Sequence, residues 1–102
     1  MIHFTFDDAT TTLRCAFEGR LDSPTSLEVA KSLQEKLEGM SLDSFKVVFD
    51  MNDVEYIASA FIRICLQTAK EVGTENFSIC NTSPYLMKTF KMSGLDAELN
   101  VS

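Results

Sequence analysis

The 102-residue chain predicts one α/β domain over residues 1–102, with an N-terminal hairpin, a mixed sheet of about five strands and helices packed against the sheet. Apolar and polar residues alternate in two segments at the N-terminus, which is typical of a half-buried hairpin. Further along, short apolar runs alternate with segments of helical periodicity, an order typical of parallel β-α-β crossovers. The composition, 45% apolar and 24% charged, is that of an ordinary globular domain.

Residues 2–6 and 13–17 form the predicted hairpin, since every second residue in each is apolar. A helix should follow, because Ser23 suits an N-cap and Pro24 suits the first helical position. Apolar residues three or four apart would form its inner face, and Gly39 would end it. Those inner-face residues are Leu27, Ala30, Leu33 and Leu37.

Residues 45–50, Phe-Lys-Val-Val-Phe-Asp, predict a strand buried on both faces, because the apolar residues are consecutive. A short polar turn is expected over residues 51–53. The next helix would begin near Ser59 and end at Gly73, which places Ser59 at or next to the N-cap. Its expected inner face consists of Ile62, Cys65, Leu66, Ala69 and Val72, widened by Phe61 and Ile64.

Residues 77–81 predict a fourth strand, and Ser83-Pro84 repeats the helix-start signal. This third helix would end at Ser93-Gly94. Its expected inner face consists of Leu86, Met87, Phe90 and Met92, and a final short strand would contain Leu95, Leu99 and Val101. The predicted order is therefore β-β-α-β-α-β-α-β.

Charge and composition exclude several kinds of function. A net charge of −6 and a pI of about 4.6 argue against binding to nucleic acid or to an anionic membrane surface. No apolar run approaches the ~20 residues of a membrane span, and the N-terminus does not resemble a signal peptide, so we expect a cytoplasmic protein. The three cysteines, Cys15, Cys65 and Cys80, are expected to be buried free thiols.

Catalytic, metal and cofactor sites are not expected. His3 is the only histidine, which leaves no Ser-His-Asp or Cys-His set and no zinc site. None of the four glycines falls into a phosphate-binding loop motif. An alternative is a phosphoaspartate receiver that uses Asp50, with Asp7 and Asp8 binding Mg²⁺. A receiver has a helix directly after its first strand, whereas residues 13–17 predict a second strand, so Asp7-Asp8 is better explained as a hairpin turn.

Three segments match a known sequence pattern. The first, Phe17-x-Gly19-Arg20-Leu21-Asp22, starts at the end of the hairpin, and the central one is Asp50-x-x-x-Val54-x-Tyr56-Ile57-x-Ser59. The third covers residues 86–95, an apolar helix followed by Gly-Leu. Together these segments resemble the STAS domain family, the anti-sigma factor antagonists. The family's serine, which a partner kinase phosphorylates, corresponds to Ser59. Three family residues are replaced here: the usual Asp by Ala58, a second hydroxyl residue by Ala60, and Gly by Phe61.

The resemblance implies a non-enzymatic regulatory module of bacterial transcription. It would bind an anti-sigma factor or serine-protein kinase, be switched by phosphorylation of Ser59, and have a phosphatase as a further candidate partner. The residues expected to face the partner are Asp22, Ser23, Asp53, Glu55, Tyr56, Ala58, Ser59, Phe61 and Ile62. Because Ala58 and Phe61 depart from the family, a STAS scaffold that binds a partner without phosphorylation is the alternative.

Overall fold

The computed structural model describes residues 2–40 and 45–102, which form a four-stranded sheet and three helices. In chain order the elements are β1 (Ile2–Asp7), β2 (Thr12–Leu21), α1 (Ser23–Glu38), β3 (Lys46–Ile57), α2 (Ser59–Val72), a 3₁₀ turn (Thr74–Asn76), β4 (Phe77–Cys80) and α3 (Pro84–Met92). The sheet order is β1-β2-β3-β4, with β1 antiparallel to β2 and with β2, β3 and β4 parallel. This confirms the α/β fold, the hairpin and the parallel crossovers. The expected last strand is reduced to one parallel bridge between Ile79 and Val101.

The helices cover one face of the sheet. Inward side chains of β2, β3 and β4 share one buried cluster with the inward side chains of all three helices. The sheet's share of that cluster is Leu13, Cys15, Phe17, Val47, Phe49, Met51, Val54, Ile57, Phe77 and Ile79, together with Leu21. The residues between them point to the other face, where Val48, Asp50 and Cys80 are only half-buried and Arg14 is exposed. The prediction that β3 is buried on both faces is therefore wrong, as is the inward orientation expected of Cys80.

Four phenylalanines form the centre of the core. The ring of Phe17 contacts the rings of Phe49 and Phe61 edge to face, at centroid distances of 4.9 and 5.1 Å. Phe49 makes the same contact with Phe77 at 4.9 Å. These rings join β2, β3, β4 and α2, so removing one of them by substitution with alanine is expected to cost about 3–5 kcal/mol.

The strand β3 is longer than the sequence suggests. The expected turn over residues 51–53 lies inside it, with Met51 buried and the next two residues exposed. Asp50 pairs with Ala16 while Asp53 pairs with Glu18, so β3 carries an extra residue there, and the register shifts again before Arg20. Such bulges leave polar residues outside while the chain continues as a strand, which explains why this segment resembles a turn in sequence.

The start of α1 differs by one residue from the prediction. Its N-cap is Asp22, whose Oδ1 accepts a hydrogen bond from the Thr25 N–H at 3.0 Å. Leu27 is 74% exposed, so its placement on the inner face is also wrong. Ser26, Val29, Leu33 and Leu37 face inward. The small Ser26 fits directly behind β2, where its hydroxyl donates to the Leu21 carbonyl at 3.5 Å.

The other two helices begin and end close to their predicted positions. The buried residues of α2 are Phe61, Ile64, Cys65, Thr68 and Ala69, while Ile62, Leu66 and Val72 are only partly buried. Ser83 caps α3 by accepting a hydrogen bond from the Leu86 N–H at 3.2 Å, as expected. Leu86 and Phe90 are its inner-face residues, whereas Met92, expected to join them, is 79% exposed.

Candidate functional site

The starts of α1 and α2 lie side by side at the carboxyl ends of two parallel strands. Leu21 and Ile57, the last residues of β2 and β3, are paired, and the Ala58 N–H donates to the Leu21 carbonyl at 2.9 Å. One residue then leads from each strand into its helix, so α1 begins at Ser23 and α2 at Ser59. We call this surface the Ser59 edge and define it as residues 20–23 and 56–59. Ligand sites of parallel α/β sheets lie at such carboxyl ends.

Ser59 is exposed and is the first residue of α2, next to the N-cap rather than at it. The N-cap is Ala58, whose backbone has the extended conformation of a capping residue but whose side chain has no oxygen to accept a hydrogen bond. Asp22 and Ser83 provide that acceptor for α1 and α3. The first turn of α2 therefore carries an exposed hydroxyl and backbone N–H groups without a side-chain cap, an arrangement that favours negative charge.

Arg20 and Tyr56 form a second part of the Ser59 edge. They are paired across β2 and β3, and the guanidinium carbon of Arg20 lies 4.5 Å from the centroid of the Tyr56 ring. This cation–π contact holds a positive charge at an edge that also carries Asp22. The hydrogen bond from the Thr25 N–H, with a smaller contribution from the charge of Arg20, lowers the pKa of Asp22, so this carboxyl is ionised at neutral pH.

Two of the expected partner-facing residues point elsewhere. Phe61 is fully buried between Phe17 and Phe49, so its ring belongs to the core and offers no contact area to a partner. Ile62 is half-buried and packs against the same core. Asp22, Ser23, Tyr56, Ala58 and Ser59 all lie on the Ser59 edge, in positions compatible with the predicted surface.

Asp53 and Glu55 are exposed and belong to β3, so Asp53 does not lie in the polar turn expected over residues 51–53. Asp53 lies four residues before the end of β3, which corresponds to roughly 13 Å along a strand. These two acids therefore flank the Ser59 edge and do not form its centre.

Asp50 is engaged in a polar cluster on the open face of the sheet. Its Oδ2 accepts from Arg14 Nη2 at 3.0 Å, and its Oδ1 accepts from the Asn52 N–H and from Asn81 Nδ2, both at 3.0 Å. Partial burial acts to raise the pKa of Asp50, but these hydrogen bonds and the charge of Arg14 together hold it below its usual value. The residues that surround Asp50 thus come from β2, β3 and the β4–α3 turn, a combination that the sequence did not indicate.

The receiver alternative does not fit this geometry. Asp7 ends β1 opposite Thr12, whereas Asp50 pairs with Ala16, so the carboxyls are separated by about four residues, or roughly 13 Å, along β2. In addition, the strand that follows β1 is antiparallel to it, where a receiver has a helix. Asp7 accepts a hydrogen bond from the Ala9 N–H at 3.0 Å, in keeping with the predicted hairpin turn.

A membrane-spanning helix needs about 20 consecutive apolar residues, and no helix among residues 2–40 and 45–102 meets that requirement.

Comparison with known proteins addresses the fold and the family. Three solved structures are similar: an anti-sigma factor antagonist (STAS) domain protein from Planctomyces limnophilus, an anti-sigma factor antagonist from Mycobacterium paratuberculosis, and the phosphorylated form of SpoIIAA, a cell fate determinant of Bacillus. Their TM-scores are 0.83, 0.79 and 0.67, at sequence identities of 21%, 19% and 15%. The alignments cover 99%, 99% and 100% of this chain and 87%, 85% and 91% of those chains.

At these identities the likeness shows the fold. A search of curated protein sequences found no match. The family model described as the STAS domain matches residues 9–102, which includes all three helices, β2, β3 and β4. The chain therefore belongs to the STAS domain family.

Proposed function

We propose that this protein is an anti-sigma factor antagonist-like regulatory module that binds an anti-sigma factor or serine-kinase partner through the Ser59 edge and is switched by phosphorylation of Ser59. The observation that carries the proposal is the exposed hydroxyl of Ser59 at the start of α2, beside the start of α1. The proposed setting is regulation of transcription in the bacterial cytoplasm, without catalysis by this chain. Two similar structures describe SpoIIAA in unphosphorylated and phosphorylated forms, and our proposal extends that behaviour to this chain.

The physical basis of the switch is the charge of a phosphate. Phosphorylation would add about −1.5 to −2 charges at pH 7. The fold should tolerate that charge, because Ser59 is exposed and the start of a helix favours anions. An interface should not tolerate it, because docking would strip the phosphate of water and bring it next to the partner. Asp22 on the same edge, with Asp53 and Glu55 on its flank, would place further negative charge near the phosphate and so raise the electrostatic cost of bringing it into an interface.

Ala58 supports a second candidate, a STAS scaffold that binds its partner without phosphorylation. The family places a carboxylate at this position, directly before the phosphorylated serine, whereas alanine has nothing to orient the hydroxyl. Phe61, the other departure considered, no longer favours this candidate, since its ring is buried and adds no bulk at the surface.

Binding by charge variants separates the two candidates. Ser59→Ala and Ser59→Asp should both fold, and only the aspartate variant should lose binding to a purified anti-sigma serine kinase from the source organism. Ser83→Asp is the matched control, because it adds the same charge and keeps a capping oxygen at the start of α3. Ser83 lies at the start of α3, after the edge strand β4, and so outside the Ser59 edge. Equal binding by the alanine and aspartate variants would support the scaffold.

Phosphate transfer tests the switch directly. Each candidate kinase is incubated with ATP and the native protein, and the labelled residue is found by mass spectrometry, with Ser59→Ala as the blank. Ala58→Asp is also tested, because its backbone already has the capping conformation. It should stabilise the domain by about 1 kcal/mol through the missing cap. Labelling only in the Ala58→Asp background would identify Ala58 as the change that disabled the switch, and labelling elsewhere than Ser59 would contradict the proposed site.

A further inference from the structure

The strand β1 forms one edge of the sheet and lacks three of the features that commonly protect an edge, namely lysine, proline and a bulge. Among residues 2–40 and 45–102, no backbone group pairs with the side of β1 that faces away from β2. Its sequence, Ile-His-Phe-Thr-Phe-Asp, contains no lysine and no proline, and its pairing with β2 has no bulge. Edges of soluble sheets are usually blocked by one of these devices, because an open edge is a template for another strand.

The apolar face of β1 is also incompletely covered. Ile2, Phe4 and Phe6 pair with Phe17, Cys15 and Leu13, so they lie on the helix-covered face of the sheet. Phe6 is nevertheless 40% exposed, and Ile2 and Phe4 are only half-buried. The ammonium of Lys36 in α1 lies 5.7 Å from the centroid of the Phe4 ring, and Phe4 remains only half-buried beside it. Space for further apolar side chains is therefore left beside β1.

We propose that β1 pairs antiparallel with β1 of a second copy of this chain, which joins two four-stranded sheets into one of eight strands. The inference is independent of the proposed switch at Ser59. It rests on the open edge and on the self-complementarity of the strand, because a two-fold dimer requires each residue to face a compatible residue of the same segment.

One register makes every pair among residues 2–6 compatible. With Phe4 on the two-fold axis, Phe4 faces its own copy and Ile2 faces Phe6, so all apolar side chains meet apolar side chains on the helix-covered face. On the other face His3 meets Thr5, which brings no like charges together. The two copies of Asp7 lie at opposite ends of the paired β1 strands, roughly 20 Å apart. The register also adds about four to six backbone hydrogen bonds, depending on which residues direct their N–H groups outward.

The β1–β1 interface would leave the Ser59 edge of each subunit free. Ser59 lies beyond the ends of β2 and β3, whereas β1 pairs only with residues 12–17 of β2. The two-fold axis reverses one subunit, so the two Ser59 edges would point to opposite ends of the long sheet. The dimer would therefore present two separate partner-binding surfaces.

The dimer is expected to be weak and dependent on concentration. One short strand from each subunit gives an interface at the small end of the observed range, below about 1,200 Å² in total. We expect a dissociation constant of roughly 10–100 µM. Sedimentation velocity of the whole chain should show monomer near 1 µM and mostly dimer at several hundred micromolar.

Substitution of Phe6 tests the interface. Phe6→Lys should weaken dimerisation at least tenfold, because it places a charge opposite Ile2 of the other subunit. Tyr85→Lys is the matched control, since it removes a 54% exposed aromatic ring from α3 with the same change of charge. If circular dichroism shows that Phe6→Lys does not fold, Thr5→Lys on the open face takes its place, with the same expected loss of dimer.

Three results would overturn the proposal. The first is a wild-type protein that remains monomeric over the whole concentration range. The second is a dimer that the β1 variants leave intact, which would mean that another surface associates. The third is a mixed-label NMR spectrum in which Thr5, and not Phe4, contacts its own copy across the axis, since that would contradict the assigned register.

Discussion

The polar cluster around Asp50 offers a measurable test of the structure, through the change Asp50→Asn. The carboxylate accepts hydrogen bonds from Arg14, Asn52 and Asn81 and is 17% exposed, so little water can replace these partners. Asparagine keeps one acceptor oxygen, but its NH₂ group replaces the second carboxylate oxygen and cannot accept the hydrogen bonds which that oxygen received. Losing one charge-assisted hydrogen bond costs about 1.5–3 kcal/mol. Arg14 is 46% exposed, so solvent screening of the ion pair places the expected loss near the lower end, at about 2 kcal/mol.

The stability difference between the wild type and Asp50→Asn should change with pH in a defined direction. Because the pKa of Asp50 is lower in the folded state than in the unfolded chain, where the pKa of an aspartate is about 3.9, the folded state favours the charged form. Its contribution is therefore complete above about pH 5 and is lost as the pH falls through the folded-state pKa. The difference in unfolding free energy between the wild type and Asp50→Asn should be constant from pH 7 to about 5 and should shrink below about pH 4.

Urea denaturation at several pH values measures the loss of unfolding free energy and its dependence on pH. A thermal melt at neutral pH should show a midpoint lower by roughly 8–16 °C, given about 4–8 °C per kcal/mol for a domain of this size. Asp53→Asn is the control, because its exposed carboxylate accepts a bond only from the side chain of Asn52, and it should change stability by less than about 0.5 kcal/mol. A difference below 0.5 kcal/mol for Asp50→Asn, or one that grows as the solution becomes more acidic, would refute the reasoning.

Two further predictions concern the faces of the sheet and the core. A disulfide reagent such as DTNB should modify Cys80 in the native protein well before Cys15 and Cys65, because Cys80 is only half-buried and the other two are buried. Burial raises the pKa of all three thiols, that of Cys15 to about 12. Equal rates for the three thiols would mean that the burial assignment is wrong. Val47→Asp should unfold the domain, since it buries an unpaired charge. Val48→Asp, on the open face beside Arg14, should remain folded, and the reverse order of thermal midpoints would place the two valines on the wrong faces.

The fold could be predicted because its signals are local. Alternation in β1 and β2, Pro24 and Pro84 at the first helical positions, and Gly73 at the end of α2 each depend on a few neighbouring residues. The wrong predictions concern side chains whose burial depends on tertiary contacts. Val48 has the same apolar character as Val47, but no helix among residues 2–40 and 45–102 covers its face of the sheet, which leaves it half-buried. Leu27 is likewise a good inner-face residue by spacing, but the fit of Ser26 behind Leu21 turns α1 so that Leu27 faces outward.

In the candidate site, too, local features could be predicted and tertiary contacts could not. The position of Ser59 at the start of α2 followed from the helical pattern and the resemblance, and its exposure at that position is compatible with the predicted role. The contact between Arg20 and Tyr56 could not be predicted, because it depends on the register between β2 and β3. That register changes by two residues along the pair, from an offset of 34 between Ala16 and Asp50 to 36 between Arg20 and Tyr56.

The two bulges in β3 also determine how the Ser59 edge is assembled. The starts of α1 at Ser23 and of α2 at Ser59 differ by 36 positions, the same offset that the bulges establish between Leu21 and Ile57. With the original offset of 34, β3 would extend two residues past β2, and Ser59 would lie roughly 7 Å beyond the start of α1. The polar residues around Asn52, which resemble a turn in sequence, form the first of these bulges, and the second lies between Val54 and Tyr56. Together the two bulges take up the extra length of β3, so that α1 and α2 begin level and form one surface.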